Sequence, residues 1–229
     1  MFWQESDQQI PPTVPDNVID VLFSLQCKSL PVDHAYALSE ALLAVAPWLA
    51  DEPKAAVHTI HVAGSQNGWE RPAHDGDQRL LPSRRTKLGV RVPRDRLSDV
   101  RAALEGQTLE IADSSLTLGA GKERALSAET TLFARYVVAE DGEDEERFLS
   151  RVAASLTRRG ITIRKALCGK TQPLMTPTGP LATRSLLLAE LQIDESIELQ
   201  ENGFGDHQIM GCGIFLPHKG IEAVAKSSQ

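Results

Sequence analysis

The sequence predicts an α+β protein made of two successive units that share one order of strands and helices. In both halves, apolar and β-branched runs typical of strands alternate with the i, i+4, i+7 pattern of helices. A glycine ends a helix just before a strand in each half, at Gly106 and at Gly160. The order β-α-β-β-α-β is that of the ferredoxin-like fold. We therefore expect two tandem ferredoxin-like domains, at residues 1–125 and 126–229.

The first unit begins with residues 18–27, whose apolar and β-branched composition predicts a strand. A helix should follow between the start signal at Pro31 and the stop at Pro47. The other predicted elements are strands at 57–62 and 87–92, a helix with apolar positions Leu97, Val100 and Leu104, and a strand or hairpin at 108–118.

The second unit repeats this order. A strand at 132–138 precedes a helix that starts near Glu143 and has Phe148, Val152 and Leu156 on one face. The remaining predicted elements are a strand at 161–166, a proline-rich loop at 173–180, a long strand at 184–191, a short helix at 194–202, a glycine loop and a final strand.

The glycine loop contains two G-x-G pairs, at 203–205 and 211–213, on either side of residues 206–210. Glycine accepts positive φ and lacks a Cβ, so such a loop can expose backbone N–H groups to a phosphate or let another backbone approach closely. Gly203 by itself could equally be the C-terminal cap of the preceding helix. A nucleotide-binding P-loop is disfavoured because no G-x-x-x-x-G-K-[ST] motif is present.

Composition excludes several classes of protein. The net charge is −7, but six acidic residues fall within 140–146, whereas 84–96 and 158–170 are basic. Each basic stretch is either a solvated face or an anion-binding surface. Three cysteines without a C-x-x-C pair favour free thiols, and we assign no metal site. Without a predicted membrane span or secretory signal, we expect a cytoplasmic protein that has no membrane partner.

The pattern G-F-G-D-H-Q-I-M-G-C-G at 203–213, between the last helix and the last strand, resembles a known signature. It is similar to the glycine-rich signature of the CRISPR repeat-RNA processing endoribonucleases, the "Cas six" family of the RAMP superfamily. The resemblance spans nearly the whole chain and is strongest to the branch of Myxan-type CRISPR operons. Further similar segments are L-P-V-D-H-A-Y-A-L at 30–38, L-E-G-Q-T-L at 104–109 and G-C-G-I-F-L-P-H-K at 211–219.

The resemblance implies an endoribonuclease that cleaves the repeat in precursor CRISPR RNA and so gives mature guide RNA. It implies attack by a ribose 2′-hydroxyl without metal or cofactor, leaving a 2′,3′-cyclic phosphate and a 5′-hydroxyl. The implied partners are the repeat RNA, its product and other subunits of a CRISPR surveillance complex. Two alternatives stay open: a RAMP subunit that holds RNA without cutting it, and a small-molecule-binding protein with tandem ferredoxin-like domains.

Many family members carry a histidine at the first helix, where this chain has His34. Positive partial charge at a helix N-terminus disfavours imidazolium, so a neutral His34 ring could accept the 2′-hydroxyl proton. Helical geometry also allows His34 to be a structural histidine on the core face, with Tyr36 opposite as a second catalytic candidate. The proposed RNA contacts are the backbone of Gly203, Gly205, Gly211 and Gly213 and the side chains of Arg84, Arg85, Lys87, Lys170, Arg184 and Lys219.

Overall fold

The computed structural model describes residues 14–62 and 78–218. The first half contains β1 (Val18–Gln26), β2 (Leu30–Pro31), α1 (Ala35–Val45), β3 (Ala56–Val57), β4 (Arg79–Leu80), β5 (Lys87–Pro93), α2 (Leu97–Leu104), β6 (Thr108–Ile111) and β7 (Ser114–Ala125). The second half contains β8 (Leu132–Val138), α3 (Glu145–Arg158), β9 (Lys165–Thr176), β10 (Gly179–Ala189), α4 (Ile193–Asn202) and β11 (Leu216–Pro217). Short 3₁₀ turns cover Pro47–Ala50, Arg94–Arg96 and Gln208–Met210.

The first half forms an antiparallel sheet with the strand order β3-β5-β1-β7-β6. Strand β1 lies at its centre, between β5 and β7, and its residues Ile19, Val21 and Phe23 are fully buried. Helices α1 and α2 cover the same core, to which they contribute Leu38, Leu42, Val100 and Leu104. Strands β2 and β4 pair separately at the start of α1.

The second half forms an antiparallel sheet with the order β11-β8-β10-β9. In the first sheet β1 lies between β5 and β7, and β3 lies on the other side of β5. The second sheet repeats this arrangement, with β8 between β10 and β11 and with β9 on the other side of β10. This is the ferredoxin-like arrangement, and the predicted tandem fold is confirmed. The apolar face predicted for the third helix, Phe148, Val152 and Leu156, is fully buried in the second core. The domain boundary at 125/126 stays a prediction.

Three predicted elements are wrong in part or in full. The strand predicted at 161–166 begins only at Lys165, so residues 161–164 lie outside it. Residues 173–180 are not a loop, because β9 continues to Thr176 and β10 begins at Gly179. Strand β9 is an edge strand, which tolerates Pro173 because one side of its backbone needs no ladder hydrogen bonds. The strand predicted at 57–62 is only two residues long, since Ile60 gives its N–H to the His34 ring and not to a neighbouring strand.

A buried arginine on β5 joins the halves. Arg91 is 2% exposed, and its Nε donates to Asp20 Oδ1 over 2.8 Å. Its Nη1 donates to the carbonyl oxygens of Gln200, at 2.6 Å, and Phe215, at 3.4 Å. Gln200 is in α4 and Phe215 follows the glycine loop, so Arg91 ties both flanks of that loop to the first half. No helix in the described ranges is long and apolar enough to cross a membrane.

Candidate active site

The glycine loop folds on itself and packs against the first half. All four of its paired glycines have positive φ. A Cβ at Gly213 would lie 1.8 Å from the Phe204 carbonyl oxygen, one at Gly203 would lie 2.8 Å from Gly213 O, and one at Gly211 would lie 2.6 Å from Thr59 Cγ2. These three glycines therefore allow close contacts within the protein. Gly205 differs, because it is exposed and a Cβ there would meet nothing within 4 Å.

The backbone N–H groups of the loop also fall into two sets, those that donate within the protein and those at the exposed tip. Gly203 donates to Leu199 O over 3.0 Å, Gly211 to Gln208 O over 3.0 Å, and Gly213 to Tyr136 O over 2.6 Å. At the exposed tip, residues 205–207, no backbone N–H donates to another described residue. The tip is therefore the part of the loop that can offer N–H groups to a phosphate.

His207 stands at this tip in a left-handed conformation, with φ +62° and ψ +33°. Its carbonyl oxygen accepts the N–H groups of Met210, at 2.9 Å, and Cys212, at 3.1 Å. These two hydrogen bonds fix the His207 backbone, while the residue itself is exposed. The sequence identified His207 only as a histidine within the loop.

Two grooves meet at Tyr36 and His207. The larger, about 420 Å³, runs along α1 and the loop tip and carries the carboxylates of Glu40, Glu52 and Asp206. The smaller, about 350 Å³, lies between the loop and the β9–β10 turn at 176–181. Its described lining contains no Asp, Glu, Lys or Arg. The grooves thus offer an acidic side and an uncharged side around one tyrosine and one histidine.

Tyr36 lies in the first turn of α1. Desolvation and the neighbouring Glu40 carboxylate raise the pKa of Tyr36 above its ordinary value. Its hydroxyl is therefore protonated at neutral pH and hydrogen-bonded to Glu40, so it donates to a ligand oxygen when that oxygen replaces the Glu40 carboxylate as acceptor. The prediction that Tyr36 faces away from the core agrees with its place in both grooves.

His34 precedes α1 as its N-cap residue and is completely buried. Its Nδ1 lies 2.9 Å from Pro31 O and 3.2 Å from Val32 O, which assigns the proton to Nδ1. Its Nε2 accepts the N–H of Ile60 over 3.0 Å. These contacts are those expected of a structural histidine on the core face. Proton transfer to His34 Nε2 would require the hydrogen bond from Ile60 to break. A catalytic role for His34 stays a prediction.

The predicted cationic contacts are spread over both halves. Arg84, Arg85 and Lys87 are exposed at the turn that begins β5, and Lys170 is exposed on β9. Arg184 is half-buried and donates to Gly169 O over 3.1 Å and to Glu143 O over 3.0 Å. Two of its nitrogens are therefore engaged within the protein. Lys219 lies outside the described residues.

Sequence reasoning missed Arg135, which contacts a histidine of the first half. Its Nε donates to His61 Nε2 over 3.1 Å, and the Thr59 hydroxyl lies 3.0 Å from the same nitrogen. Burial lowers the pKa of Arg135. The sequence signal that could have pointed to Arg135 is its i, i+2 spacing from Phe133, which puts a cation and an aromatic ring on one face of β8. In the described ranges, no group of three or more His, Cys, Asp or Glu residues could hold a metal ion.

Comparisons with known proteins agree with this fold. Residues 19–220 match the family model described as Cas6 Crispr. The chain is 30% identical over 199 residues to the CRISPR-associated endonuclease Cas6 of Myxococcus xanthus. The matched residues make up 87% of this chain and 81% of that protein.

Solved structures of low sequence identity share the fold. A CRISPR-associated protein Cas6 superposes with a TM-score of 0.60 at 13% identity, over 88% of this chain and 100% of that one. A Cas6-related protein of Pyrococcus furiosus gives 0.58 at 14% identity, over 86% and 97%. A RAMP protein described as binding different RNA substrates gives 0.60 at 16% identity, over 88% and 100%.

The two antiparallel sheets and the glycine loop thus define a protein of the tandem ferredoxin-like class. Within that class, the matched family model and the relative from Myxococcus xanthus decide the family. The chain belongs to the Cas6 family of CRISPR-associated endonucleases.

Proposed function

We propose that this chain cleaves repeat RNA in precursor CRISPR transcripts by attack of a ribose 2′-hydroxyl on the adjacent phosphate, without a metal ion. The products are a 2′,3′-cyclic phosphate, a 5′-hydroxyl and mature guide RNA. The observation that supports this most is the meeting of two grooves at Tyr36 and His207, beside N–H groups of the loop tip that donate to no other described residue. This chemistry needs groups that transfer protons and stabilise charge, and the junction has both.

The charges of the two grooves favour one site for the scissile phosphate. Glu40, Glu52 and Asp206 would repel a phosphate in the larger groove. We therefore propose that the phosphate lies in the smaller groove, where a non-bridging oxygen replaces Glu40 as the acceptor of the Tyr36 hydroxyl. The N–H group of His207, the tip residue that lines this groove, would stabilise the charge that develops on the phosphate. In this proposal His34 holds the start of the helix that carries Tyr36.

Retention of the RNA would depend on exposed cations. Arg84, Arg85, Lys87 and Lys170 are proposed to contact phosphates, and Lys219 stays in this set. Each neutralised phosphate adds to the salt dependence of binding. The proposed partners are the repeat RNA, its product and other subunits of a surveillance complex. The three free cysteines fit a reducing compartment, and we propose the cytoplasm.

One observation favours a second candidate function, an RNA-binding RAMP subunit that does not cut. His34, the histidine that the family resemblance identifies as catalytic, has both ring nitrogens bonded to the backbone. If no other group replaced it, the chain would hold RNA without cleaving it.

The test is incubation of the purified protein with its own repeat RNA in excess EDTA, followed by mapping of the cut and analysis of the product ends. We expect one cut, a cyclic phosphate and a 5′-hydroxyl, together with binding that weakens steeply as salt is raised. Cleavage that stops on chelation would refute metal independence. Tight binding without cleavage would favour the second candidate.

A further inference from the structure

We propose that His207 is the general base of this reaction and accepts the proton of the attacking 2′-hydroxyl through its imidazole ring. This inference rests on the proposed function and names a residue for it. It follows from what each described histidine contacts, from the backbone that holds His207, and from the charges of the two grooves.

The other described histidines are engaged elsewhere. His34 is buried against the backbone, and His58 Nε2 lies 3.1 Å from Asp20 Oδ1. His61 Nε2 accepts from Arg135, and the His218 ring packs against Phe133 at a centroid distance of 5.9 Å. None of these four lines either groove at Tyr36.

His207 lines both grooves, and its ring makes no hydrogen bond to another described residue. A base must reach the substrate with a nitrogen that is not already used by the protein. Among the described histidines, the one that meets both conditions at the groove junction is His207.

The backbone conformation of His207 supports the same assignment. Residues other than glycine are uncommon at positive φ, where histidine is accepted more readily than most and glycine costs least. The His207 carbonyl holds this conformation through Met210 and Cys212. Strained backbone maintained by surrounding bonds is found preferentially at functional sites.

The proposed step balances as follows. The 2′-oxygen forms a bond to phosphorus while its proton passes to the neutral His207 ring, and the bond between phosphorus and the 5′-oxygen breaks. The leaving 5′-oxygen takes a proton from water. The imidazolium then returns its proton to the hydroxide so formed, which regenerates neutral His207 without any oxidant, reductant or metal.

The first variant is His207→Asn, because asparagine tolerates the left-handed conformation but cannot act as this base. We expect the single-turnover cleavage rate to fall about 100-fold or more, with the Kd for uncleavable repeat RNA within about twofold of wild type. Ala112→Asn is the matched control. Ala112 also has positive φ, +55°, in the exposed β6–β7 turn, and this change should leave the cleavage rate unaltered.

The second variant, His207→Gly, keeps the backbone and removes the ring. Added imidazole should restore part of its cleavage, which a purely structural role of His207 would not allow. In wild type, the cleavage rate should rise with pH to a plateau, as expected for a base that acts in its neutral form, and this limb should be lost in His207→Asn. The titratable groups that face His207 across the grooves are Tyr36, Glu40, Glu52 and Asp206.

Cleavage by His207→Asn within about threefold of wild type would overturn the inference, since general base catalysis supplies roughly 100-fold or more. A His207→Gly protein that imidazole does not rescue, when saturated with RNA, would also overturn it. Failure of wild type to cut its repeat would instead contradict the proposed function. The two failures are therefore distinguishable in one series of reactions.

Discussion

At the scale of single residues, the rings of His34 and His207 differ in what they contact. His34 has both nitrogens bonded to buried backbone groups, whereas the His207 ring is open to the grooves. Their positions in the sequence did not reveal this difference. A histidine before a helix satisfies the family pattern whether its ring faces the core or the substrate.

His34→Ala should lower the free energy of unfolding by about 3 kcal/mol, because it leaves the Ile60 N–H and the carbonyl of Pro31 without their partner in a buried place. Urea denaturation measures this change. If His34→Ala were as stable as wild type but did not cleave RNA, His34 would act in the chemistry and not in the fold.

The paired glycines give a second test at this scale. Gly213→Ala should destabilise the protein severely, because the new Cβ would lie 1.8 Å from a backbone oxygen that cannot move freely. Gly205→Ala is the matched control, because Gly205 also has positive φ but a Cβ there would meet nothing within 4 Å. This change should lower the free energy of unfolding by only about 1 kcal/mol. Thermal unfolding of both variants compares them. Equal losses would show that strain, and not close packing, explains these glycines.

At the scale of elements, the start of α4 depends on one ionised carboxylate. Burial alone would raise the pKa of Glu195, but hydrogen bonds from Arg164 and from the N–H groups of Gln192 and Thr162 outweigh it and lower the pKa to about 2. The bond from the Gln192 N–H is one half of a capping box at the helix that leads into the glycine loop.

Because the folded pKa lies below the unfolded one, Glu195 stabilises the fold fully above about pH 4.5, and this contribution is lost as pH falls toward about 2. Glu195→Gln should therefore be less stable than wild type at pH 7 and lose less stability on acidification to pH 3. Urea unfolding at both pH values measures this. Parallel losses in the two proteins would contradict the assigned pKa.

The order of elements was predictable because hydrophobic periodicity is local. The extent of β9 was not, since Pro173 reads as a loop unless the strand is known to be at a sheet edge. Residues 58–62 also read as a strand. Their departure from the sheet depends on the His34 ring, which lies far away in the sequence but accepts the Ile60 N–H.

At the scale of the whole molecule, Arg91 couples the two halves. Arg91→Met should lower the free energy of unfolding by about 3–5 kcal/mol, because it removes a cation from the buried Asp20 carboxylate and leaves the Gln200 carbonyl unpaired. Arg94→Ala is the control from the same basic stretch. Its ion pairs with Asp16 and Glu123 are exposed and should contribute less than about 1 kcal/mol. Similar losses in both variants would contradict the coupling role of Arg91.

The candidate site could be predicted only in part, because it lies where α1, the glycine loop and the β9–β10 turn meet. The sequence identified Tyr36 and the loop, since each carries a local pattern. It did not separate the exposed tip of the loop from its buried glycines, which depends on contacts such as that of Gly211 with Thr59. The sequence also identified candidate cations in both halves, but it did not show which of them are exposed.

The measurement that tests the central claim most directly uses repeat RNA with a single 2′-deoxynucleotide at the mapped cleavage position. If the 2′-hydroxyl is the nucleophile, the protein should bind this RNA with an unchanged Kd and fail to cut it in EDTA, while RNA deoxygenated one nucleotide away is cut normally. Cleavage of the deoxy-substituted RNA at the original position would show that water attacks the phosphate, and would contradict the mechanism proposed for this protein.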